Sequence, residues 1–205
     1  SCHAEIYDSF LQTGMGRSFG KADLHRSKAD WSGHAVLYDE QLDLHYQAFT
    51  RDSALFLKEF RLEGRDTVHL RVAPISYIVG SGQHTNSHLI NINGYVYQLP
   101  MTYYTQEGRW DLPPGFEGGN NSRFARTIQT ECMTCHNAYP KQVLGSEHKY
   151  LKIEEGIDCE RCHGPGGLHV QEKMAGLIVD TSAGPDYSIV NPKRLPVTLQ
   201  MSICQ

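Results

Sequence analysis

Cys132-Met133-Thr134-Cys135-His136 and Cys159-Glu160-Arg161-Cys162-His163 are the two stretches on which the reading of this 205-residue chain turns. Each is a C-x-x-C-H run. Two thiols three positions apart can add across the two vinyl groups of one haem, and the adjacent imidazole then lies under the ring and reaches its iron. A zinc ribbon, a thioredoxin-like redox pair and plain disulfides also use paired cysteines. None of them asks for histidine directly after both pairs, and with eleven His in the whole chain that coincidence is rare. The runs therefore predict haem c attached at Cys132 and Cys135 over His136, and again at Cys159 and Cys162 over His163.

The two remaining cysteines stand at the ends of the sequence. Cys2-His3 reads as the close of a third such motif whose first Cys lies upstream, and Cys204-Gln205 as the opening of a fourth. On this reading the chain is an internal piece of a longer polyhaem protein. A Cys2 to Cys204 disulfide is the competing reading, and it leaves His3 unexplained.

A spacing repeat suggests the second axial donors. Met15 stands twelve residues beyond His3, and His148 twelve beyond His136, with Thr13 or Ser146 two positions before. A low-spin haem needs a second donor, and imidazole nitrogen or thioether sulfur is the usual choice. His148 and Met15 are thus expected as sixth ligands, a methionine-ligated haem having the higher potential. His169 follows His163 by only six steps, at most about 20 Å when extended, and Gly164-Pro165-Gly166-Gly167 shortens that reach. His169 is therefore expected on the iron of a neighbouring haem.

Between the first and second motifs the texture changes. Leu42 to Tyr46, Leu55 to Leu62 and Thr67 to Val72 alternate apolar and polar residues as half-buried strands do. Leu89 to Leu99 carries Asn93-Gly94 between two strand-like arms, a hairpin signal. Pro100, Pro113, Pro114 and the Gly-rich run from Gly115 to Asn121 are expected to close the sheet. Of the histidines here, His25, His34, His45 and His69 read as ordinary side chains. His84 ends a loop, Gly80-Ser81-Gly82-Gln83, whose glycines let backbone approach a flat ring. It is expected as an axial ligand, with His88 as its rival.

The predicted fold class is α+β: haem-packed helical or irregular segments with an inserted small antiparallel β-sheet region. The predicted organisation is a first haem segment over 1–24, a β-rich insert over 25–122, and a haem-binding segment over 123–205. The formal net charge of -4 supplies no field for holding a phosphate backbone, so nucleic acid is not expected as a partner. No apolar run approaches the roughly 20 residues that span a bilayer, the richest being Ile75 to Val79 and Ala175 to Val179.

The runs Cys2-His3-Ala4-Glu5-Ile6-Tyr7, Glu131 to Asn137, Gly156 to Gly166 and His169-Val170 resemble the multihaem cytochromes of the cytochrome c-554 class, over residues 1–15 and 125–205. The resemblance implies four or more packed haems and a Ser-x-His ligand after the first motif. Here Thr13-Gly14-Met15 fills that place, so the first haem's sixth ligand is Met15, another His, or an open site. Gly80 to His84, through Trp110 to Gly115, also looks like the insert of larger bacterial cytochromes of this kind. The expected function is electron transfer by hopping between closely packed haems. One alternative is an oxidoreductase acting on a small nitrogen compound at a five-coordinate haem, and another is a structural link in an extracellular cytochrome assembly. Redox proteins or other multihaem cytochromes are the expected partners, in a homo-oligomer or larger assembly. The expected location is periplasmic, cell-surface or extracellular.

Overall fold

The computed structural model describes residues 2–203, and the chain divides into two compact units, 1–156 and 157–205. Cys204 lies outside the described residues.

The first unit opens with helix α1 (Ala4–Phe10) and strand β1 (Phe19–Lys21). The alternating stretches then form β2 (Val36–Asp39), β3 (Leu44–Arg51), β4 (Ala54–Glu63) and β5 (Asp66–Pro74), an antiparallel four-stranded sheet in that order. A second sheet follows from β6 (Tyr77–Val79), β7 (Thr85–Ile92), β8 (Tyr95–Tyr104) and β9 (Arg109–Asp111), with β1 added at its far edge, in the order β1-β6-β7-β8-β9. The fold is therefore α+β, as expected, but the inserted β-structure is two sizeable sheets rather than one small one. Asn93 and Gly94 make the β7–β8 hairpin with φ of 54° and 91°, as a two-residue turn with both central residues left-handed requires.

Pro100 does not close the sheet. Strand β8 runs through it to Tyr104, and β9 follows. The reason is a bulge: Gln98 and Thr102 pair with Leu89 and Ser87, so three residues of β8 oppose His88 alone. A proline inside the bulge owes no ladder hydrogen bond.

One core joins the two sheets, with Tyr46, Leu57, Ile78, Leu99 and Met101 fully buried. Side chains of the five-stranded sheet alternate between its faces. Ile78, His88 and Ile90 face the four-stranded sheet, whereas Phe19, Leu89 and Val96 build a second cluster on the opposite face with Ile128, Met133 and Tyr150. That second cluster is where α2 (Thr130–His136) docks. The short hairpin of β10 (Lys141–Gln142) and β11 (Tyr150–Lys152) follows it.

The second unit contains α3 (Glu160–His163), α4 (Gly167–Met174), a single 3-10 turn at Pro192–Arg194 and α5 (Val197–Ser202). Among its described residues only Ser188 is buried, and Leu168, Val170, Met174, Ile178 and Met201 are exposed. Among the described residues the first unit thus has two apolar cores and the second none.

His88 is fully buried, its ring 5.5 Å from Trp31 and 5.1 Å from Trp110. Its Nδ1 lies 3.2 Å from the Met101 carbonyl, which can only accept, so Nδ1 carries the proton. Burial pushes the ring's pKa down from 6.5 to about 4 against the opposing Met101 bond. The unfolded chain therefore takes up a proton near pH 6.5 that the folded chain refuses until about pH 4, and stability is lost as pH falls between those values. Over that window the loss is about 3 kcal/mol. Urea unfolding of the holoprotein from pH 7 to pH 4 should show this extra slope, and His88→Leu should remove it; equal slopes in both proteins would contradict the assignment.

Candidate haem-binding site

The first complete motif is held by the edge of a sheet. Beside β8, the Gln98 N–H donates to the Arg126 carbonyl and the Ile128 N–H to the Val96 carbonyl, both at 2.9 Å, with Tyr97 facing Thr127 in a bridge. Further along the same edge the Tyr150 N–H donates to the Gly94 carbonyl at 2.9 Å, and the Tyr150 hydroxyl donates to the Ile128 carbonyl at 3.0 Å. The chain enters α2 directly from this pairing. Met133 points into the second core and is 1% exposed. Cys132 and His136, one helical turn apart, line a cleft of about 280 Å³ whose apolar wall includes Phe19, Val79, Leu89 and Ile128.

His136 is half-buried in this wall, and burial alone lowers its pKa from 6.5, which favours the neutral imidazole that binds metals. The Ser18 hydroxyl lies 2.7 Å from the His136 carbonyl and ties the end of α2 to the segment before β1. Cys132 and Cys135 are exposed thiols outside any disulfide. An apolar wall, two accessible thiols and a neutral imidazole suit one face of a haem.

In the second unit α3 presents Cys159, Cys162 and His163, and ends at Gly164, whose φ of 74° is left-handed. The Gly166 N–H donates to Glu160 Oε1 at 2.8 Å and fixes the turn that follows. His163 Nδ1 lies 2.7 Å from the Val190 carbonyl. A carbonyl only accepts, so Nδ1 carries a proton and Nε2 is the nitrogen left to face a metal. These residues also fit the group. Within each unit, no three His, Cys, Asp or Glu among the described residues converge as a structural zinc would require.

The other expected ligands lie in varied places. His148 packs its ring against Tyr95 and Tyr97, at 5.2 and 6.0 Å between centroids. Those tyrosines face away from the Val96 and Gln98 side chains, so the sheet edge stands between His148 and the His136 cleft. His169 lies on α4 with Nδ1 3.1 Å from Ser188 Oγ and 3.6 Å from Asp186 Oδ2. The Lys173 ammonium, 2.8 Å from Asp186, holds that carboxyl well below the usual carboxylate range together with the Ser188 bonds. His3 precedes α1 and Cys2 is exposed; Met15 is 52% exposed in the turn beyond the helix. His84 is exposed, its carbonyl accepting from the Thr105 N–H at 2.8 Å. His69 donates from Nε2 to the buried Glu59 at 2.9 Å, and His45 stacks between Tyr38 and Phe60, each in an ordinary structural role.

Sequence reasoning missed the supporting residues: Ser18, Arg126, the Val190 carbonyl, and the Asp186 and Ser188 pair. Only the last left a local signal, since the Asp-x-Ser spacing closes on itself through the Ser188 N–H and hydroxyl to Asp186 Oδ1.

Both complete motifs thus stand at short helices, each with a thiol pair and a following histidine. Residues 118–164, which include both complete motifs, match the family model described as cytochrome c554 and c-prime. That segment is similar to a family of multihaem c-type cytochromes, haem-based electron carriers in general. Comparison of the chain with curated proteins and with solved structures finds no match.

His163→Ala should leave the haem on Cys159 and Cys162 while one haem changes from low-spin to high-spin absorption, and added imidazole should restore it. An unaltered low-spin spectrum would remove His163 from the ligand set.

Proposed function

We propose that the chain is a multihaem electron carrier in which electrons hop between closely packed haem c groups. When bound, haem supplies the one-electron Fe(II)/Fe(III) couple. The observation that carries this reading is the placing of Cys132 and His136 along an apolar cleft.

The chain's own part is to hold and orient. Cys132 and Cys135 tether one group and Cys159 and Cys162 another. His136 and His163 supply the first axial nitrogen, and Val190 fixes the second ring's tautomer. Phe19, Leu89 and Ile128 keep water from one face of the cleft. His148, His169, His84 and Met15 are the proposed distal donors, with Cys2 and His3 serving a third haem and Cys204 opening a fourth. The orientation of His169 by Ser188 and Asp186 supports its part in this set. The partners are other redox proteins or further multihaem cytochromes, and the location is outside the cytoplasmic membrane, in the periplasm, at the cell surface or beyond it. Among the described residues no helix is long and apolar enough to cross a membrane.

A catalytic reading, action on a small nitrogen compound at a five-coordinate haem, draws on one observation: Met15, the donor expected for the first haem, stands half in solvent.

Two measurements test the proposal. Acid–acetone extraction should leave the haem on the polypeptide, with C132A/C135A and C159A/C162A each removing one equivalent. Carbon monoxide should leave the spectrum of the reduced protein unaltered. Extractable haem would end the covalent reading, and a carbonyl complex at one haem would move the function to the catalytic alternative.

A further inference from the structure

Arg126 holds an unusual position in the cleft. Strand pairing with Gln98 fixes its backbone, and the two-residue period of that pairing turns its side chain, like that of Ile128, to the cleft side of the sheet. There it lines the same cleft as Cys132 and His136. The guanidinium carbon lies 3.9 Å from the Phe116 ring centroid. Nη1 donates to the Pro114 carbonyl at 2.8 Å and to Gln98 Oε1 at 3.2 Å, and Nη2 donates to the Gly115 carbonyl at 2.8 Å. Gly115 has a φ of +79°, and a Cβ there would come within 3.2 Å of Nη2. The loop is shaped around this side chain.

Every one of those acceptors is uncharged. Among the described residues no carboxylate is hydrogen-bonded to Arg126, and Glu117 acts on it only through space. Of the guanidinium's five N–H donors, Nε and one on Nη2 remain uncommitted. The cation is therefore clamped by neutral oxygens against an aromatic ring, while part of its donor edge is uncommitted and no hydrogen-bonded carboxylate among the described residues neutralises it.

We propose that Arg126 is the positioned positive charge of the haem site at Cys132, Cys135 and His136, where it holds an acidic side group of the haem and raises that haem's reduction potential. The inference rests on the reading of that cleft as a haem site. Reduction lowers the charge at iron by one, so a fixed cation nearby favours the reduced form, and an apolar wall screens this less than water would. A guanidinium keeps its charge at every physiological pH, so the bias is constant rather than switched.

The test is spectroelectrochemical titration of the holoprotein beside R126Q, R126K and R51Q. Arg51 is a control cation, exposed on the four-stranded sheet over Phe49 and Phe56. In R126Q one haem's oxidised-to-reduced ratio at fixed potential should rise at least tenfold, a downward shift of about 59 mV for a one-electron couple. R126K and R51Q should stay within about threefold of the parent. Haem-loaded R126Q with unaltered midpoints overturns the proposal, as does R126K falling as far as R126Q. If R126Q does not accumulate, R126K decides: a retained midpoint supports the role of the charge, and a tenfold change overturns it. A parent protein whose Cys132–Cys135 peptide carries no haem would instead overturn the haem-site reading itself, a separate result from an attached haem with an unmoved potential.

Discussion

The first haem motif is fixed by backbone hydrogen bonds at the edge of β8. Beyond its pairing with β7 that strand would present unsatisfied N–H and C=O groups, and burying such groups without partners is costly. Arg126 to Ile128 and the chain around Tyr150 satisfy them. Much of the site follows from the register of that pairing. Because side chains alternate, Arg126 and Ile128 fall on the cleft side and Thr127 on the other. A slip of one residue would exchange them, turning the cation and the apolar wall away from Cys132. Met133 then locks α2 against the sheet, and the turn of helix from Cys132 to His136 lies along the cleft. The chemistry at the motif thus depends on strand geometry set before the helix begins.

The two units solve different packing problems. The first buries apolar side chains on both faces of the five-stranded sheet and has a folding free energy of its own to draw on. The second is short, and its helices leave Leu168, Val170 and Met174 exposed. Its internal order comes from polar devices: the Glu160 clasp on Gly166, the Val190 carbonyl on His163, and the Asp186 cluster around Lys173, Ser188 and His169. Chains of this size with little to bury generally need a covalent or metal cross-link. Under the proposed function, the tethered group at Cys159 and Cys162 is that cross-link.

Motif and strand were legible because both depend on local spacing. The C-x-x-C-H runs, the alternation of β3 to β5 and the Asn93-Gly94 turn are short-range patterns, and each marks an element of the structure. Pro100 misled because a bulge, invisible in the sequence, relieved it of its ladder bond. The spacing repeat that pointed to Met15 and His148 runs through unlike local structure. Equal numbers of residues do not span equal distances: α1 follows His3 at about 1.5 Å per residue, while the chain after His136 leaves the helix at an extended Asn137. His88 was hidden for another reason. Its burial is made by Trp31 and Trp110, which lie far from it in sequence. Arg126 gave no signal because its setting comes from two loops and a strand edge.

The two histidines of the second unit are oriented by different partners. His163 donates from Nδ1 to a backbone carbonyl, which fixes the ring. His169 faces a serine hydroxyl bonded to a carboxylate, an arrangement that draws on the ring proton through the hydroxyl. Lys173 tempers that pull, because an ammonium 2.8 Å from Asp186 claims part of the carboxylate's charge. In the first unit the proposed lever is Arg126, a cation held by uncharged acceptors beside the cleft. Under the proposed function, potentials along the chain would then depend on the partners of the ligands as well as on the ligands themselves, imidazole or thioether.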